Sequence, residues 1–149
     1  MAVSVLDVAK YILNNDGSMS AMKLQKLCYY SQAWHLVWDD EILFSDRIEA
    51  WANGPVAPTL YDKHRGLFTV RADQITGART AKLDRSQRES IDSVRKFYGK
   101  KSGAQLSELT HREAPWREAR RGVAPGEPST KAISVASMAE YYGSLLGNS

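Results

Sequence analysis

Apolar residues recur near the start of the chain at three- and four-residue steps, with Val5, Val8, Ala9 and Ile12 in phase and Leu6 and Leu13 flanking them. That spacing predicts an amphipathic helix over 5–14, stopped by Asn14-Asn15-Asp16-Gly17. Ser18 or Ser20 can cap the next helix, over 22–38. There Leu24, Leu27, Cys28, Ser31, Trp34, His35 and Trp38 keep helical steps, while Met22, Tyr29, Tyr30, Ala33, Leu36 and Val37 fill most of the remaining wheel. A helix that is apolar nearly all round is buried on most sides. This stretch, about 20–38, is therefore the expected centre of the fold, and Asp39-Asp40 ends it.

The period changes after residue 40. Ile42, Phe44, Ile48 and Ala50 alternate with polar residues around Ser45-Asp46, which predicts a small β-hairpin over about 41–51. Asn53-Gly54-Pro55 reads as a turn, and Pro58 as the start of a short helix over 58–64 closed by Gly66. Residues 69–83 are weakly patterned and read as a loop or irregular edge. Ser86 and Glu89 have capping-box spacing, heading a helix with Ile91, Val94, Phe97 and Tyr98 inward and Gly99 at its end. Ser102 opens a short helix carrying Leu106 and Leu109, and Pro115 opens another carrying Trp116 and Ala119. The Gly- and Pro-rich run 122–129 is a loop. Ser134 caps a last helix with Val135, Met138, Ala139, Tyr142 and Leu146 on one face. No repeat or linker interrupts this order. The expected fold is mainly α: a compact single-domain helical bundle over 1–149, built around the central helix, with a small hairpin.

Composition narrows the class. The chain has 149 residues, 43% apolar and 25% charged, a globular balance that excludes collagen-like and disordered readings. No apolar run approaches the roughly 18 residues a membrane-spanning helix needs. Residues 1–13 lack a basic segment followed by a continuous apolar stretch, so no signal peptide is expected. The single cysteine, Cys28, forbids an internal disulfide and suits a reducing cytoplasm. Net charge is +3, from −2 over 1–74 (7 Lys/Arg against 9 Asp/Glu) and +5 over 75–149 (13 against 8). That excess is small beside a dedicated nucleic-acid binder, so nucleic acid is not the expected partner.

Catalytic chemistry finds little to stand on. Cys28 and His35 lie seven residues apart on one helix face, about 10.5 Å of rise, too far for a nucleophile and its base. The acids Asp39, Asp40 and Glu41, and Asp46 with Glu49, sit at turns where solvated carboxylates are expected. His111, Glu113, Pro115 and Trp116 form the most suggestive cluster. They read either as a His–carboxylate pair beside an aromatic wall or as a helix end with an anchoring tryptophan, and packing is the favoured reading. One thiolate and three scattered histidines make no zinc site. No Walker loop, G-x-G-x-x-G or H-E-x-x-H occurs, so no cofactor, metal or catalytic residue is expected. Lys100-Lys101 and Arg117, Arg120 and Arg121 are the densest basic patches. Trp34, Trp38, Trp51 and Trp116 can each serve the core or an interface.

Several pieces of the chain together resemble a known family. They are Lys23-Leu24-Gln25-Lys26-Leu27-Cys28-Tyr29-Tyr30, Ala33-Trp34-His35, Ile48-Glu49-Ala50-Trp51 and Gly54-Pro55-Val56 with Pro58 and Tyr61. Leu106-Ser107, His111, Pro115-Trp116 and Ile133-Ser134 extend the pattern. Over about 4–146 the chain resembles the Panacea-domain family, which includes SocA-like antitoxins and phage-associated GepA-like proteins. The resemblance implies a non-enzymatic antitoxin of a bacterial or prophage toxin–antitoxin pair. Its partner would be a cognate protein toxin encoded next door and neutralised by direct binding. A SocA-like branch instead delivers the toxin to a protease. Most motif residues are expected to serve the fold, with Lys23, Gln25 and Lys26 on the more polar side of the central helix. Loops and hairpins concentrate variable contacts, so the expected partner surface is Phe44, Arg47, Trp51, Asn53, Tyr61, His64 and Phe68. Two other readings stay open: a nucleic-acid-binding autoregulator using the basic half, and a small hydrolase using His111 and Glu113. A homo-oligomer is compatible with either.

Overall fold

The structure, a computed structural model, describes residues 2–147. Helix α1 spans Val5–Asp16 and is closed at its start by a reciprocal capping box between Ser4 and Asp7. A two-residue strand β1, Met19–Ser20, leads into α2, Ala21–Asp39, whose N-cap is Ser20. Asp40 ends α2 in the left-handed region, φ 56°. Then follow β2 (Glu49–Trp51), β3 (Gly54–Val56), α3 (Pro58–His64) and β4 (Thr69–Val70). Two single turns of 3₁₀ helix precede α4 (Arg85–Tyr98), α5 (Gly103–His111), α6 (Ala114–Ala119) and α7 (Val135–Gly147). The protein is thus mainly helical with a small antiparallel hairpin, as expected, and with a second two-stranded pairing of β1 and β4 that was not.

The central helix is α2. Leu24, Leu27, Cys28, Tyr29, Tyr30 and Ala33 are buried, and α1, α4, α5, α7 and β3 all pack on it. Its two tyrosines enter a closed polar network. The hydroxyls of Tyr30 and Tyr142 each donate to Glu113 Oε1, at 2.6 and 2.7 Å, and Tyr29 and Tyr142 share a 3.0 Å hydroxyl pair. Buried polar groups persist only when partnered in this way. The network ties α2, α6 and α7 together around one carboxylate.

The hairpin forms, but later in the chain than its alternation suggested. Glu49 pairs with Val56 and Trp51 with Gly54, while 41–48 carries no strand. The cause is Gln32 on α2. Its Oε1 accepts from Leu43 N at 2.6 Å and its Nε2 donates to Phe44 O at 2.6 Å, so that backbone is bonded to the helix and unavailable for a ladder. Ile42, expected inward, is exposed. The segment 131–133 borders β2 instead: Ala50 N donates to Lys131 O and Ile133 N to Ile48 O.

Other expectations shift locally. The cap of α4 is Asp84, boxed with Gln87, because Ser86 is turned to the Asp39 carboxylate. Phe97 points to solvent because its neighbour Tyr98 takes the inward position, stacked on Tyr30 at 4.1 Å. On α7 the buried face is Met138 and Tyr142, while Val135 and Leu146 are exposed. The stretch 69–83 buries Val70, Ile75 and Leu83 and supplies β4, which pairs with β1. Gln25 and Lys26, placed on a polar side by their chemistry, are both buried.

Candidate functional site

The first turns of α2, the β2–β3 hairpin, α3 and the loop 128–130 enclose a cleft of about 450 Å³. Helical spacing presents Ala21, Met22, Gln25 and Lys26 along one wall, and Tyr61 and His64 from α3 along another. Trp51, Ala52, Asn53 and Val56 come from the hairpin, and Pro128, Ser129 and Thr130 close the far side. The walls are largely apolar.

Gln25 fixes the α3 side. Its Oε1 accepts from Ala57 N at 2.9 Å, so its Nε2 donates, to Ala57 O at 3.3 Å and to His64 Nε2 at 3.0 Å. His64 therefore accepts at Nε2 and keeps its proton on Nδ1. Burial first, and then the nearby Lys26 charge, hold its pKa below the usual histidine value. His64 is a neutral wall of the cleft.

Lys26 is the unusual group. It lines the cleft, is only 2% exposed, and its ammonium forms no ion pair or hydrogen bond among the described residues. Burial alone lowers its pKa from 10.5 to about 7. Room for it is made by Gly54, whose φ of +120° no L side chain adopts comfortably. The carboxylate of the hairpin is already engaged. Glu49 accepts from Arg47 Nε at 2.8 Å and from the Trp51 indole at 2.8 Å. Trp51 in turn meets Tyr61 edge-on at 4.9 Å, and its carbonyl accepts from Trp116 Nε1 at 2.8 Å.

Four of the seven expected partner residues, Trp51, Asn53, Tyr61 and His64, meet at this cleft. Arg47 holds its rim, donating to Thr130 O at 2.7 Å. Phe68 stands 83% exposed beside it, its carbonyl accepting from Ala21 N at 2.8 Å. Phe44 is buried in the core and offers no surface, because the Gln32 clamp turns it inward. Residue types at 51–64 drew attention to the cleft. Its opposite wall was missed, since Lys26 reads as a surface cation and 128–130 as plain loop.

The remaining motif residues hold the frame. Lys23 Nζ donates to Gly99 O at 2.6 Å, closing the end of α4. Trp34 donates to Tyr98 and His35 shares a 2.8 Å contact with Ser90, while Leu24, Leu27 and Pro55 are buried. His111 and Glu113 do not face each other: His111 stacks on Trp116 at 4.0 Å, and Glu113 serves the tyrosines. His111 Nε2 is buried without a partner, and burial, then Lys26 and Arg120, lower its pKa. Pro115 is buried at the start of α6. Burial pushes the Cys28 thiol up, the opposite of an activated nucleophile. No three His, Cys, Asp or Glu side chains gather as a metal site among the described residues. No helix there is long and apolar enough to cross a membrane. Part of the basic excess is committed: Arg95 binds Asp16 and Asp92, Arg112 pairs with Glu108, and Arg120 is buried on backbone carbonyls.

The family model described as Antitoxin SocA-like, Panacea domain, matches residues 24–117. That span contains Lys26, the hairpin, α3 and His111, and leaves α7 and the loop 128–130 outside. No curated protein and no solved structure gives a significant match.

Proposed function

The chain belongs to the SocA-like antitoxin family that carries the Panacea domain, and from that premise we propose that it neutralises a cognate protein toxin by direct binding. Membership itself carries an antitoxin-type role with a toxin as partner. In this proposal residues 1–149 act as one non-catalytic domain in a bacterial cytoplasm, and the toxin is the product of the adjacent gene.

One observation supports direct binding. Leu67 and Phe68 are exposed, Phe68 by 83%, and their backbone is bonded to His64 and Ala21, which line the cleft that also displays Trp51 and Tyr61. Exposed contiguous apolar surface marks interaction sites, and aromatic residues are the usual anchors. The contact face we assign is Leu67, Phe68, Trp51, Asn53, Tyr61 and the Arg47 rim.

Co-expression with the adjacent gene tests this. The neighbour alone is expected to stop growth, and the pair to grow and co-purify. Phe68→Asp is expected to abolish rescue, while Phe97→Asp, on another exposed aromatic, keeps it. Growth rescue with loss of the toxin, reversed by deleting proteases, would replace occlusion with proteolytic delivery. A harmless neighbour would remove the pairing.

A further inference from the structure

An ammonium buried without a counter-ion is costly, and proteins ordinarily pair it or neutralise it. Lys26 is 2% exposed, and no described side chain pairs with its ammonium. Glu49 is engaged by Arg47 and Trp51, the Gln25 amide is used at both ends, and His64 is an acceptor held by Gln25. What the cleft lacks is an anion beside Lys26. Gly54, having no Cβ, lets the Lys26 chain pass against the hairpin, with Cε 2.5 Å and Nζ 3.2 Å from where a Cβ would stand.

We propose that the cleft is a binding site for a small organic monoacid, whose carboxylate becomes the counter-ion of Lys26 while its apolar body lies against Met22, Trp51, Val56 and Tyr61. A cleft of about 450 Å³ is of small-molecule size. Among the described residues Lys26 is the only Lys or Arg lining it, so it matches one negative charge and leaves a phosphate dianion half-compensated. The largely apolar walls exclude a sugar-like or polyanionic body. The inference concerns this cleft alone and holds whether or not a toxin binds nearby.

The test uses the full chain and a matched series: octanoate, hexanoate, butyrate, octanol and octylamine. Binding is read by tryptophan fluorescence and by the Lys26 Cε resonance, assigned with Lys26→Met. Octanoate is expected to saturate one site at neutral pH and to raise the titration midpoint of Lys26. Each methylene removed should weaken binding by about fourfold, the equivalent of ~0.8 kcal/mol per buried CH₂. Octylamine and octanol should bind at least tenfold more weakly. Lys26→Met and Lys26→Gln should each cost octanoate at least tenfold while leaving octanol unchanged, with folding checked by circular dichroism. Equal binding of acid, alcohol and amine would overturn the proposal, as would octanoate binding that neither variant weakens. Failure of octanoate alongside capture of a short peptide through its free C-terminal carboxylate would overturn it too, giving the cleft to a chain terminus.

Discussion

A Cβ placed on Gly54 would lie 2.5 Å from Lys26 Cε and 3.0 Å from Thr110 Oγ1, so the hairpin and the central helix fit only because residue 54 has no side chain. Its φ of +120° adds backbone strain for any other residue. Gly54→Ala should destabilise the protein by about 2–4 kcal/mol through clash and strain together. The two causes are separable. In a Lys26→Ala background the clash with Cε disappears, the backbone strain and the 3.0 Å approach to Thr110 Oγ1 remain, and the loss should fall to about 1–2 kcal/mol. Urea midpoints of the four proteins form a double-mutant cycle. An additive result would mean that Lys26 has no part in requiring the glycine.

Lys26 also sets a pH dependence. Its folded pKa, about 7, lies below the unfolded 10.5. The unfolded chain therefore holds the proton more tightly, and stability rises with pH from about 7 upward. The groups facing Lys26 act elsewhere: His64 and His111 have lowered values, so their contribution is complete above 6.5. The buried Cys28 thiol has a raised value and removes stability above about 9. The clean window is pH 7 to 8.5, where unfolding free energy should climb by about 1–2 kcal/mol. Lys26→Met should flatten that rise and be the more stable protein at pH 7. A flat wild-type curve would show Lys26 titrating normally.

Local chemistry carried much of the fold into view, and distant contacts decided the rest. Ser20, Ser102 and Ser134 act as expected because a cap needs only its own next turn. Both Asp84 and Ser86 sit three residues before a Gln or Glu, and the choice fell to Asp84 because Asp39, far back in the chain, holds the serine. Phe97 and Tyr98 lie about 100° apart on a helical wheel; Tyr98 is the one in phase with the buried Ile91 and Val94, and it stacks on the Tyr30 ring. The cleft followed the same rule. Trp51, Asn53, Tyr61 and His64 are near neighbours in sequence and were legible as a group. Lys26 joins them only because α2 is buried on that side too, a placement against its side-chain chemistry.

Gln32 stands for the contacts that sequence reading missed. Its carboxamide satisfies Leu43 N and Phe44 O, both in buried residues, and so fixes 41–48 as an extended strap on α2. Gln32→Ala leaves those groups unpartnered and should cost about 2–4 kcal/mol. Hydrogen exchange should report the loss at Leu43 first, with the β2–β3 pairs still protected. Exchange rising equally across α2 would show the strap and helix to be one cooperative unit.

The Glu113 network yields the last prediction. Burial raises the carboxyl above its usual 4.5, and the Tyr30 and Tyr142 hydroxyls only partly offset that. A raised folded pKa means the stabilising contribution is complete below 4.5 and is lost as pH climbs through the folded value. His64 and His111 slope the opposite way in acid, so the comparison that isolates Glu113 is wild type against Glu113→Gln. Both tyrosines donate to the same Oε1, which a glutamine carbonyl can replace. Glu113→Gln should therefore gain on wild type as pH rises from 4.5 to neutrality. Glu113→Ala strands the Tyr30 hydroxyl, leaves Tyr142 with Tyr29 alone, and should lose about 2–4 kcal/mol at every pH. If Glu113→Gln loses as much as Glu113→Ala at pH 7, the charge itself is what the tyrosines hold in place, and the network is an anion site filled from within the chain.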